Sequence, residues 1–398
     1  MILHSRTAAQ IAEHGNRHAP DRLHAIRSGT VGAALRIDRH IALIVGDTAG
    51  HFYPALAVAQ AYQRRYERVD VRFMGPSGIG ADLAGRHGVP FQPIDGSPLV
   101  RVGLARKIAA AGRAAHGVTQ ARRVLQAHGT RLALGFGGFA SGGALIAARS
   151  LGLCVAIHEA NAWPGVANRL LGRVADRIYI AFPAAQDHFP PARQLRTGWP
   201  IRAELANIAE RRRSRARRPA RVLVVGGSRG CEFFDREVPW LLGRVAASNA
   251  VRAVHQTSAT NRDEVIGSYA RADVAATVTP FIEDIASAYA EADFVIARAG
   301  GGTIAEVAAA GLPSLLVPLP DAAEQHQHVN ALAFATAGAG LCVMEHEWSV
   351  EALAERVGHM LCDGEAWDAA SHCARTFGMP DAADRVVDDC EVMMRGRW

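Results

Sequence analysis

The stretch IALIVGDTAGHFYP, residues 41–54, decides the fold. Its first five residues, Ile41–Val45, are apolar without a polar alternation, so they read as a short strand covered on both faces. The run then breaks into Gly46, small residues and His51. A helical pattern, PALAVAQAYQRRY, follows from Pro54. Strand, glycine turn and helix make the start of a βα unit, and the turn at the carboxyl end of such a strand is where these folds hold ligands.

The same pattern repeats outward. VDVRFMG (69–75), RLALGFGG (131–138) and LCVAIHE (153–159) alternate with helical segments. After an arginine-rich stretch it restarts with RVLVVGGS (221–228), RAVHQTS (252–258), TVTPF (277–281), DFVIARAG (293–300) and LPSLLVPLP (312–320). Apolar strands alternating with helices predict an α/β protein with parallel sheets covered on both faces. A chain of 398 residues is long for one core and fits two domains. The predicted organisation is a loose N-terminal extension (1–38), a first domain (39–205), a basic linker (206–219) and a second domain (220–398). Each domain is expected to be doubly wound and Rossmann-like.

Composition removes several classes. A hydrophobic fraction of 49% with 21% charged residues is that of a globular protein. The six cysteines form no CxxC pair, which suits a reducing compartment and predicts neither a disulfide framework nor a structural zinc motif. The first 40 residues hold no apolar h-region, so no signal peptide is predicted. No stretch of about 18 apolar residues exists, so no membrane span is predicted. The net charge of +6 is carried mainly by arginine, in ERRRSRARRPAR (210–221) and between Arg101 and Arg123. Neither segment interleaves aromatics or forms a DNA-reading helix, so nucleic acid is not an expected partner. An anionic membrane surface or a phosphorylated substrate fits the charge.

Three strands end in glycine turns: GDTAGH (46–51), GGSRG (226–230) and RAGGGT (298–303). None is a GxGxxG fingerprint or a P-loop. Together they point to a phosphate-bearing ligand at helix N-termini. The segments GDTAGHFYPALAVA, LGFGGFASGGALIAA, IHEANAWPGVANRLLGRVADRIYIAFP, TGWPIR, VLVVGGSRG, HQTS, FIEDIASAYAEADFVIARAGGGTIAEVAAAGLPSLLVPLP and EQHQHVNA occur in this order. With them the chain, from about Arg39 to Val392, resembles the MurG-type N-acetylglucosaminyltransferases of glycosyltransferase family 28. The resemblance implies a GT-B fold, two such domains facing a cleft, with the C-terminal helix crossing back to the first domain. It implies inverting transfer of N-acetylglucosamine from UDP-N-acetylglucosamine to a lipid-linked muramyl-pentapeptide at the cytoplasmic face of the membrane. It also implies no cofactor and no metal, the diphosphate being stabilised by a helix N-terminus.

On the donor side the resemblance places Ser228 and Arg202 at the diphosphate, Ile282 at uracil through its backbone, and Glu306 at the ribose. Thr303 shares the Glu306 turn. Gln327, with His326 and Asn330 beside it, would read sugar hydroxyls, and Thr48 and Asn161 belong at the reacting centre. Gly50, Gly138, Ser141 and Glu159 line the acceptor side, with His51 as the expected base. Histidine suits that task because its pKa lies near neutrality. Each residue also has a structural reading. Thr303–Glu306 matches the T-x-x-E capping box, Ser228 an N-cap, Glu159 and Asn161 partners for buried backbone, and His51 a loop anchor.

Three departures bear on the acceptor. Asp47 and Ala49 stand where the family has glycine, and Asp47 would repel a diphosphate by roughly 4 kcal/mol at 4 Å and an effective dielectric near 20. Ala160 and Ala299 replace a glutamine and a serine. The segment 99–123 is basic but mostly alanine between its arginines, with little apolar area to insert into lipid. A related transferase acting on a soluble natural product, with Asp47 as a second candidate base, is therefore the alternative. A non-catalytic binding subunit is a further one, and a UDP-sugar epimerase fits less well.

Overall fold

The computed structural model describes residues 39–95, 104–211, 219–227, 230–248 and 250–396. The expectations for residues 1–38, for Ser228 and for the arginines of 212–218 lie outside these residues.

The first domain alternates β1 (Arg39–Ile44), α1 (Ala49–Arg65), β2 (Val69–Gly75), α2 (Ile79–Arg86), β3 (Phe91–Pro93) and α3 (Leu104–Ala127). It continues with β4 (Leu132–Gly135), α4 (Phe139–Ser150), β5 (Cys154–Glu159), α5 (Val166–Leu171), β6 (Arg177–Ile180) and β7 (Gln194–Arg196). The strands form one parallel sheet in the order β3-β2-β1-β4-β5-β6-β7. β5 is buried along its whole length and β1 over its last four residues, as apolar runs without alternation require.

The second domain holds β8 (Ala220–Val225), β9 (Val251–Gln256), β10 (Ala275–Thr279), β11 (Phe294–Ala297), β12 (Ser314–Leu316) and β13 (Gly340–Cys342). They are also parallel, in the order β10-β9-β8-β11-β12-β13. Both sheets reverse direction once, between β1 and β4 and between β8 and β11. Chains leaving the carboxyl ends of those neighbours diverge, which opens a crevice at each switch point.

Two connections tie the halves. The helix Ala203–Ala206 leads into the stretch read as a linker and the helix Ile208–Arg211 lies within it, and Leu205 and Ile208 are buried with Leu223, Val295 and Ile304 of the second domain. At the far end, the helix Ala382–Arg395 packs on α1. Its Val386, Val387, Cys390 and Met394 share a core with Phe52, Tyr62 and Tyr179. Around that contact Glu391 accepts from Arg39 at 3.0 Å, and Asp389 accepts from Arg177 at 2.7 Å and from the Tyr179 hydroxyl at 3.0 Å.

Candidate active site

At the first switch point the turn 46–51 meets the turn 136–141. His51 lies in the first turn of α1, and its imidazole rests on a floor of glycine. A Cβ on Gly46 would overlap Nδ1, and one on Gly137 would stand 3.1 Å from Nε2. His51 Nδ1 shares a hydrogen bond with the Thr48 hydroxyl at 3.0 Å. Burial pulls the His51 pKa down to about 4, opposed by the charge of Asp47. The ring is thus neutral near pH 7, with a lone pair available as an acceptor. The buried Ser141 hydroxyl donates to the Gly138 carbonyl at 2.7 Å and braces the facing turn, while Gly50 lies exposed beside Thr48.

Asp47 is turned to the side. Its Oδ1 accepts the Ile79 N–H, at the start of α2, at 2.7 Å, and the carboxylate lies against Gly78. The anion-favouring end of α2 therefore already carries a negative charge supplied by the chain itself.

Glu159 is 2% exposed at the end of β5. It accepts from the Asn161 N–H at 2.9 Å and from the Asn168 side chain at 2.8 Å. Burial pushes its pKa up to about 7, with the Asn168 and Asn161 hydrogen bonds opposing. Asn161 in turn accepts from Asn330 of the second domain at 3.1 Å. Asn330 is fully buried and fully used: Oδ1 accepts the Ala162 N–H at 2.7 Å, and Nδ2 also donates to the Ala299 carbonyl at 3.3 Å. The amide expected beside the sugar is thus a link between the two domains. Arg169 of α5 and Glu324 add an ion pair at 3.2 Å.

At the second switch point lies an open cavity of about 700 Å³, lined by Gly226, Gly227, Arg298, Gly300, Thr303 and Gln327 among others. Its size is that of a ligand cleft, about 300–1,000 Å³. Two helices begin at its wall, Glu232–Ala246 after Cys231 and Gly301–Ala310 after Gly300, and neither has a side-chain N-cap among the described residues. Helix N-termini of this kind favour an anion, and in the first of them the Cys231 sulfur already meets the Phe233 and Phe234 N–H groups. Thr303 is the third residue of its helix, so the capping-box reading of Thr303–Glu306 does not hold. Gln327 accepts the Leu319 N–H at 3.0 Å and closes the loop before the helix His326–Thr336, in which His326 is half-buried. Glu324 and Gln325 in that loop have positive φ, 52° and 53°. Such strain in residues other than glycine costs on the order of 1–3 kcal/mol each and clusters at ligand sites.

Arg202 and Glu306 form a separate group. The guanidinium lies 3.9 Å from Glu306 and 3.3 Å from Glu204, and over the Tyr53 ring of α1 at 5.1 Å. Glu306 accepts from the buried Tyr289 hydroxyl at 3.1 Å, and burial raises its pKa to about 6 against the pull of Arg202. Ile282 is half-buried just after β10, against the second-domain core.

Sequence reasoning missed Arg298, Phe233, Arg236 and Glu345 on the cavity wall. Arg298 donates to the Val317 and Pro318 carbonyls at 3.2 and 3.1 Å and pairs with Glu345, fastening β11 to the loops after β12 and β13. A cation directly before a glycine turn was the legible signal for Arg298. The other three are brought there by topology alone.

The comparisons agree along the chain. The family model described as the glycosyltransferase family 28 N-terminal domain matches residues 41–180, and that of the C-terminal domain matches 221–386. A protein of Aeromonas hydrophila named UDP-N-acetylglucosamine--N-acetylmuramyl-(pentapeptide) pyrophosphoryl-undecaprenol N-acetylglucosamine transferase is 36% identical over 363 residues, covering 91% of this chain and 99% of its own. The protein of that name from Stutzerimonas stutzeri is 39% identical over 359 residues, covering 90% and 99%. Among solved structures, Acinetobacter baumannii MurG superposes with a TM-score of 0.73 at 30% identity, over 87% of this chain and 98% of its own.

Proposed function

This chain belongs to glycosyltransferase family 28, and from that premise we propose that it transfers N-acetylglucosamine from UDP-N-acetylglucosamine to the undecaprenyl-diphosphate-linked muramyl-pentapeptide of cell-wall synthesis. The observation that carries this reading is the pair of switch points. One holds a neutral histidine in a glycine cradle, and the other offers two helix N-termini to an anion. In this reading His51 takes the proton of the acceptor hydroxyl as its oxygen attacks the anomeric carbon from the face opposite the diphosphate. The sugar–phosphate bond breaks, and UDP leaves with the electron pair. The helix N-termini receive the charge without a resident metal, and Arg202, paired with Glu306 on one of those helices, is the further cation of the donor side.

No described helix is long and apolar enough to cross a membrane. A lipid-linked acceptor would then be met from the surface, at the cytoplasmic face, where the positive charge of the sequence 101–123 favours anionic lipid. The test is UDP release from UDP-N-acetylglucosamine with and without the lipid-linked acceptor. Strong stimulation supports the cell-wall reaction. Donor binding without stimulation moves the acceptor elsewhere, and no donor binding refutes the proposal.

Glu306→Gln should raise the donor KM by about 10- to 100-fold with a smaller change in kcat, the loss of one charged hydrogen bond to a ribose hydroxyl. A lowered melting temperature with unchanged KM would instead restrict Glu306 to holding Tyr289 and Arg202.

Asp47 supports a second reading, in which the acceptor carries no diphosphate. Its position on the Ile79 N–H fits a helix cap better than a proton acceptor. Asp47→Gly should cost about 1 kcal/mol of stability as α2 loses its cap. It should also raise turnover on a diphosphate-linked acceptor. Unchanged turnover would remove Asp47 as the obstacle.

A further inference from the structure

At the end of the first sheet away from the active site, three ligand-type side chains converge. β1 and β2 run in register with His40 beside Asp70, and the turn after α3 brings His128 to the same corner. β1 spans roughly 20 Å, so this corner is separate from the turn that holds His51. His128 Nε2 lies 3.1 Å from Asp70 Oδ2, and His40 Nδ1 lies 3.7 Å from the same oxygen. The three atoms fall within 4.8 Å of one another. The His128 side chain is 2% exposed, and its Nδ1 is held by the Thr130 hydroxyl at 2.9 Å, which aims Nε2 at Asp70.

The Asp70 carboxylate is the one group that faces both ring nitrogens among the described residues. Apart from that carboxylate, neither His128 Nε2 nor His40 Nδ1 has a hydrogen-bond partner among the described residues, although both are buried atoms. Two buried ring nitrogens converging on one carboxylate are under-satisfied, and a shared cation would satisfy all three. In a tetrahedral zinc site with ligands at about 2.0–2.2 Å, the ligand atoms stand roughly 3.3 Å apart. Two of the three separations here are already close to that value. Thr130 supplies the outer hydrogen bond that orients a ligating histidine. Asp70 is 46% exposed, so metal can enter from solvent and water can complete the coordination. Arg72, on the same face of β2, opposes the cation and limits its affinity.

We propose that His40, Asp70 and His128 form a site for a divalent metal of the zinc class, which fastens β1 and β2 to the carboxyl end of α3. The set of two imidazoles and a carboxylate favours zinc over magnesium or calcium, which take oxygen ligands. The residues come from three separate elements, so no local spacing announces them.

The test uses the full-length protein after chelation and dialysis, titrated with Zn²⁺ against a chromophoric chelator and with Co²⁺ by visible absorption. The wild type should bind one equivalent that His40→Ala and Asp70→Asn each lose, with the tetrahedral cobalt band lost alongside. Saturating zinc should raise the wild-type melting temperature by about 2–4 °C and leave both variants unmoved. Transfer without added zinc should be unchanged in both, which shows that they fold. Equal zinc binding by wild type and variants would place the metal on other histidines and overturn the proposal. So would a wild type that binds no zinc at micromolar concentration.

Discussion

His51→Ala is expected to lower kcat by about 10²- to 10⁴-fold, the range for removing a positioned general base, while the affinity for UDP-N-acetylglucosamine holds. Isothermal titration with donor alone separates the two effects. A variant that loses donor binding as well would show that His51 supports the fold of the turn. The pH profile sharpens the test. Protonation removes the lone pair, so activity is lost as pH falls through the histidine pKa. In the free protein that value is about 4, and the Glu306 carboxyl lies near 6, so in the Glu306→Gln background kcat/KM should keep its plateau through pH 6.5 and fall only near pH 4. A bound diphosphate acceptor adds negative charge near the ring and favours the imidazolium. The acid limb of kcat should therefore lie above that of kcat/KM. Coincident limbs near pH 6.5 would contradict the buried, glycine-cradled ring.

The second large effect is on stability. Asn330→Leu keeps the branched shape of the side chain, with bulkier methyl groups, and deletes three hydrogen bonds at once, to Ala162, Asn161 and Ala299. Each group left buried without a partner costs about 1–3 kcal/mol, so a loss of about 3 kcal/mol or more is expected. It should be visible as a lower urea midpoint. Because two partners lie in the first domain and one in the second, the donor KM should rise as the domains lose their register. An unchanged midpoint would mean that solvent reaches this joint and replaces the amide.

The α/β architecture was legible because its signal is local. Ile41–Val45, Cys154–Glu159 and Phe294–Ala297 are apolar without alternation, and glycine follows or closes most of the runs. The glycine turns marked the switch points for the same reason. The partners of individual polar residues were not legible. Asp47 looked like a charge in the way of an anion, yet its partner Ile79 lies 32 residues on. Asn330 looked like a sugar reader, and its contact with Asn161 spans 169 residues. His255 of the HQTS segment is wholly buried, bonded to the Tyr269 hydroxyl at 2.9 Å and 3.4 Å from Asp235, as part of the core beneath the cavity. Local spacing fixes which element a residue joins. What its side chain meets depends on strand order and on contacts across the cleft.

The helix Ala382–Arg395 also fixes an order of events during synthesis. When the ribosome has made residue 205, every strand of the first sheet exists, but Val386, Val387, Cys390 and Met394, which cover Phe52, Tyr62 and Tyr179, do not. At about 5–20 residues per second they arrive roughly 10–40 s later. Over that interval the nascent first half carries an uncovered apolar wall that chaperones can bind. Its final closure awaits translation of Ala382–Arg395, after the strands of the second sheet, so the half made first is not the half finished first.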